Sequence, residues 1–149
     1  MPQQSPLRKI KRWRKYAERD TVSDVPRMTR GVYVLYKERA GHYDVRYIGV
    51  AGLSVGGKSG VTSRLKSHAR HKDDWSHYSV FEVHDNITSD EIRELEALLL
   101  GIFRDDRRVK LANTQLGSRK LRQIRVNASW EARRARTPAK RTARKRIRR

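Results

Sequence analysis

An α+β fold is predicted for this chain, with a small antiparallel or mixed three-stranded sheet flanked by helices. Three observations predict it. VYVLY (Val32 to Tyr36) and VRYIGVA (Val45 to Ala51) are β-branched and aromatic runs separated by a turn containing Gly41, which signals an antiparallel hairpin. YSVFEVH (Tyr78 to His84) is a third such run, set between two helical patterns. The charge is partitioned, so a nearly neutral middle is left to bury a core. Residues 1–29 hold 8 basic and 3 acidic side chains, residues 30–117 hold 14 and 12, and residues 118–149 hold 14 and 1. The organisation read from this is a basic arm and linker over 1–29, a body over 30–117, and a basic tail over 118–149.

In the arm, Leu7, Ile10, Trp13 and Ala17 recur at helical spacing with basic residues between them, and a short basic helix is expected. TVSDVPRMTR reads as a linker around Pro26. In the first strand of the body, Tyr33 and Leu35 share one face, and Val32, Val34 and Tyr36 the other. By the same alternation Tyr47 has Val45 and Gly49 on its side. TSRLKSHARH is expected to be a helix capped by Thr62 or Ser63. Asn86 marks a turn, and Thr88 with Glu91 forms a capping box for a helix reaching about Arg104. From Ala128 onward the Arg, Ala and Lys content predicts a disordered tail with no core to bury.

The net charge of +20 speaks of partners rather than fold. Polyanions are the natural ones, because each neutralised phosphate releases condensed counterions. A membrane surface fits poorly, since Ile147 is the only large apolar residue near the end of the tail. No cysteine is present, which excludes disulfides and thiolate metal sites. No run reaches membrane-spanning length and no signal-peptide core precedes the body, so an intracellular, cytoplasmic or nucleoid-associated location is expected.

GLSVGGKSG fits the phosphate-loop pattern G-x-x-x-x-G-K-S from Gly52 to Ser59. Such a loop needs a helix starting at its Lys-Ser pair and a parallel sheet behind it. Here a hairpin strand precedes the loop, and Gly60, Val61 and Thr62 follow it. No nucleotide cofactor is expected. The segment reads instead as a mobile loop that offers Lys58 to a phosphate backbone.

Three constellations carry chemistry. On DEIRELEALLLGIF, the residues Ile92, Leu95, Leu99, Ile102 and Phe103 form an apolar face, and Glu96 falls at its border near Leu100 and Phe103. A carboxylate placed there is costly to ionise unless it is paired or bound to a metal. Glu94 falls on the polar side. Arg64 and His68 are four apart and share a helix face, joining a phosphate-binding fork to a group that handles protons near neutral pH. Lys66, Arg70, His71 and Lys72 on the same segment suit backbone phosphates.

GVY (Gly31 to Tyr33) followed by YIG (Tyr47 to Gly49) resembles the paired signatures of the GIY-YIG nuclease family, with Val32 in place of the middle Ile. Its further elements follow in order: Arg64 and His68 for the R-x-x-x-H variant, Glu96 with Leu99 and Phe103 for E-x-x-L-x-x-x-F, and Asn113 in LANTQ for the late Asn. The resemblance implies a metal-dependent DNA endonuclease. In it Glu96 holds one Mg²⁺ or Mn²⁺, Tyr33 activates the water, Arg64 stabilises the phosphoryl transition state, Tyr47 fixes geometry and Asn113 supports the site. Lys58, Lys66, Arg70 and Lys72, with Arg119, Lys120, Arg122 and Arg125 of the tail, would contact the nucleic acid. DNA is the expected partner and RNA a second polyanion the charge accommodates. One site cuts one strand, so a double-strand break calls for a homodimer or two successive nicks. A catalytically silent nucleic-acid-binding protein and a ribosome-associated RNA-binding protein are the competing readings.

Overall fold

A computed structural model of the chain describes residues 8–53 and 59–114. Its elements are strand β1 (Ile10–Glu18), a 3₁₀ turn (Arg19–Asp24), strands β2 (Gly31–Arg39) and β3 (His42–Ala51), helix α1 (Val61–His71), strand β4 (His77–Val83) and helix α2 (Ser89–Asp105). The four strands form one sheet in the order β1-β4-β2-β3, and every pairing is antiparallel. Among the described residues the fold is therefore α+β with four strands rather than three.

The fourth strand is the segment expected to be a basic helix. β1 pairs along β4 from Ile10↔Val83 to Glu18↔His77, with register shifts between Ile10 and Arg12 and between Arg14 and Ala17. Those irregularities break the alternation that marks a strand, so its apolar residues recur every three or four positions and imitate a helix. The segment read as a linker also joins the core, because Val22 and Val25 are buried beside Tyr78 and Leu65.

α1 and the 3₁₀ turn cover the front of the sheet, where Tyr33, Leu35, Tyr78 and Val80 meet Val61, Leu65 and Trp75. α2 covers the back over β2 and β3, where Val32, Val34 and Ile48 meet Ile92 and Leu100. The expected alternation of β2 holds through Tyr36, with Tyr33 and Leu35 on the front and Val32, Val34 and Tyr36 on the back. In β3 it fails, because Leu35 pairs with Tyr47 while Tyr36 pairs with Val45, leaving Arg46 as an extra residue. Val45 thus faces the back and Tyr47 packs against the front, not the shared side that simple alternation gives.

The Thr88–Glu91 capping box forms as expected: the Thr88 side chain accepts from the Glu91 N–H, and the Glu91 carboxylate accepts from the Thr88 N–H at 2.9 Å. Such caps contribute about 1 kcal/mol each. α1 departs from expectation by starting at Val61 with Gly60 as its cap, because Thr62 is buried and its hydroxyl donates to the Val25 and Pro26 carbonyls. On α2 the apolar face is rotated: Ile92, Ala97 and Leu100 are buried, whereas Ile102 is 59% exposed. No helix among the described residues is long and apolar enough to cross a membrane.

Candidate active site

Two glycines allow close approaches in the strands that carry the site, one to the β4 backbone and one to the tyrosines. Gly31 opens β2 with φ +151°, and a Cβ there would stand 2.0 Å from the Phe81 carbonyl oxygen on β4. Gly49 pairs with Tyr33 across β2 and β3, and a Cβ there would lie 2.6 Å from both the hydroxyl and the Cζ of Tyr33. The phenol occupies the space that glycine leaves. The extra residue at Arg46 turns Tyr47 onto the same side, and its ring stacks with Tyr33 at 6.0 Å between centroids.

α1 supplies the wall above these rings. His68 Nε2 lies 2.9 Å from the Tyr33 hydroxyl, and its ring tilts over Tyr47 at 4.5 Å. Arg64, one turn earlier, and Ser67 line the same space. Lys72 follows the helix, with its ammonium 4.7 Å from the centre of the Tyr47 ring. From the opposite side α2 contributes Arg93 and Glu96.

The last wall is the segment after α2. The Ala112 N–H donates to the Arg46 carbonyl at 2.6 Å. The Asn113 side chain accepts from the Ile48 N–H at 3.0 Å and donates to the Ile48 carbonyl at 2.7 Å. Ile48 is fully buried and β3 is an edge strand, so these outward backbone groups need partners, and one amide side chain satisfies both. Asn113 is a clamp for the site's border.

The resulting cavity of about 750 Å³ is lined by Tyr33, Tyr47, Arg64, His68, Glu96 and Asn113, together with Lys72. Every residue that the resemblance assigns to catalysis thus reaches one space. Lys66 and Arg70 are exposed on α1 but lie outside the cavity, because they fall about 160° and 120° around the helix from Arg64. Lys58, Arg119, Lys120, Arg122 and Arg125 lie outside the described residues. Ser67 and Arg93 line the cavity without having been singled out from the sequence. Their signal was spacing: Ser67 follows Arg64 by three, and Arg93 precedes Glu96 by three.

Burial sets the protonation states. It pushes the Tyr33 phenol far above its ordinary range; the neighbouring Tyr47 adds to this and Arg64 opposes it. Burial also lowers His68 to about 4, aided by the Lys72 and Arg64 charges. Glu96 is raised by burial, against the pull of Arg93. At neutral pH the arrangement therefore holds a protonated phenol against a neutral imidazole. With Nε2 unprotonated, the phenol O–H donates to it, leaving the phenol's lone pairs available to the cavity.

The residues present suit one hard divalent cation. Glu96 offers carboxylate oxygens with no hydrogen-bond or ion-pair partner among the described residues, and their burial makes a compensating cation favourable. No cluster of three or more His, Asp or Glu side chains able to hold a metal occurs among the described residues; one carboxylate completed by waters is a coordination that Mg²⁺ accepts. Searches of family models, curated proteins and solved structures each find no match to this chain.

Proposed function

We propose that the chain is a metal-dependent DNA endonuclease of the GIY-YIG type. The observation that carries this is the convergence of Tyr33, Tyr47, Arg64, His68, Glu96 and Asn113 on one cavity, from positions 33 to 113 of the sequence. A separate structural role for each would not explain their common destination.

In the proposed reaction water attacks phosphorus, a P–O bond forms, and the bond to the leaving strand breaks. Glu96 would hold the divalent ion, which supplies Lewis-acid stabilisation of phosphate oxygens. Tyr33 accepts the proton of the attacking water while passing its own to His68 Nε2. That relay avoids a free phenolate, which burial makes unfavourable at neutral pH. It delivers the proton to an unprotonated imidazole that becomes a stronger base once the phosphate brings negative charge beside Arg64 and Lys72. Arg64 binds the phosphoryl oxygens as their charge grows. Tyr47 orients the phosphate or the water, and Asn113 keeps the border of the site in place.

Beside this stands the reading of a silent DNA-binding protein with the same fold, favoured by the lone carboxylate and the strongly raised phenol. Plasmid cleavage by wild type and Glu96→Ala in Mg²⁺, Mn²⁺ and EDTA, across a range of salt, separates them. Metal-dependent nicking that the variant lacks supports the nuclease. Binding without cleavage on linear, flapped and branched DNA overturns it.

A further inference from the structure

On the back of the sheet α2 packs over β2 and β3, and Trp13 and Tyr16 of β1 stand in solvent beyond it. Trp13, opposite Phe81, is 54% exposed and Tyr16 is 49% exposed. The Tyr16 ring stacks on Tyr43 at 4.7 Å and leans on Tyr36 at 5.0 Å. Tyr43 is itself 42% exposed, so an aromatic surface runs from β1 to the start of β3. In an uninterrupted strand residues 13 and 16 would point to opposite faces. The irregularity between Arg14 and Ala17 brings them to one. It holds Tyr16 at φ +50°, a conformation rare for an aromatic residue, and ties its N–H to the buried Ser79 hydroxyl at 3.0 Å.

The same strand and the two residues before it carry the cations. Lys9 pairs with Glu91, Lys11 and Arg12 pair with Glu82, and Arg14 pairs with Asp24. Arg8 and Lys15 have no carboxylate partner among the described residues. Both stand over the Trp13 ring instead, at 5.9 and 5.5 Å.

We propose that this surface is a second nucleic-acid site, apart from the cavity, on which unpaired bases of single-stranded DNA stack against Trp13 and Tyr16. Arg8 and Lys15, long and flexible side chains, swing off the Trp13 ring to contact the flanking phosphates as a base takes their place. Exposed aromatic faces beside unpaired cations fit an anion that also carries flat rings. A duplex hides the faces of its bases and so cannot use the rings. β1 and β3 lie at opposite edges of the sheet, about 14 Å apart at the usual strand spacing, so both sites can be filled at once. Binding here needs neither Glu96 nor cleavage, and the inference can fail or stand separately from the nuclease reading.

The test is fluorescence anisotropy of a labelled thymidine 12-mer and a 12-base-pair duplex, with full-length protein in EDTA over a salt series. The ratio of the two affinities removes most of the contribution of residues 118–149, whose charge acts on both ligands. Trp13→Ala and Trp13→Leu should each weaken single-strand binding about tenfold, leaving duplex affinity and salt slope unchanged. Trp13→Phe should recover most of the loss. The double variant Arg8→Ala/Lys15→Ala should lower the slope of log K against log salt by about 1.4 on single strands. Equal weakening on both ligands, no weakening, or a loss in Trp13→Ala that Trp13→Leu does not share would each overturn the proposal. Circular dichroism melting accompanies each variant, so a folding defect is read as the last of these outcomes.

Discussion

Gly49→Ala probes the site without removing any of its functional groups. The added methyl would sit 2.6 Å from the Tyr33 Cζ and hydroxyl and 2.7 Å from Cε1 of Tyr47, where ordinary contact begins near 3.4 Å. Relief therefore requires a displacement of about 0.8 Å. Tyr33 is 2% exposed and packed among Leu35, Leu65 and Val80, so the core resists that motion. Overpacking of this kind costs about 1–3 kcal/mol. A comparable retreat of the phenol along its 2.9 Å contact with His68 would break that hydrogen bond. A shift near 1 Å in a reacting group lowers turnover by about 100-fold. Urea unfolding would read the first effect and single-turnover nicking the second. Gly101→Ala is the matched control, because a Cβ on that exposed position of α2 meets nothing within 4 Å. Removing a helix-interior glycine there should stabilise by about 0.5–1 kcal/mol and leave cleavage unchanged. Wild-type stability and activity in Gly49→Ala would refute the claim that glycine is present to make room for Tyr33.

Three further outcomes are expected. Glu96→Gln should unfold at higher urea than wild type at pH 7 in EDTA, while losing metal-dependent cleavage. The folded pKa of Glu96 lies above its unfolded value, so burying the ionised form is destabilising at neutral pH and costs nothing at low pH. A variant less stable than wild type would show that the carboxylate is paired. His68 has its folded pKa lowered to about 4 from 6.5, so the unfolded chain binds the extra proton first. Stability should fall as pH drops from about 6.5 towards 4, and His68→Gln should lose that part of the dependence; an identical pH profile in the variant would contradict it. Asn113→Ala should cost about 1–3 kcal/mol, because it orphans the outward N–H and C=O of Ile48. Hydrogen exchange at the Ile48 amide should accelerate with it, and unchanged protection there would remove Asn113 from its assigned role.

The sequence by itself determined the hairpin of β2 and β3, the strand at Tyr78, the capping box of α2 and the border position of Glu96. These are local matters of side-chain alternation, helical angle and a cap four residues long, and each can be read within a dozen positions. It also placed Arg64 beside His68, since one turn of helix fixes that relation. Only the tertiary structure decided that the basic arm is a strand. The free edge of β4 supplies hydrogen-bond partners, and two irregularities disguise the alternation from any short window. It likewise decided that Arg46 is an extra residue, which turns Tyr47 away from Val45 and towards His68. The reason for Gly49 is visible only once a phenol from the neighbouring strand fills its place. A register shift depends on what lies across the sheet, and a cavity on what arrives from both of its faces. Those are relations between segments far apart in the chain, and packing alone sets them.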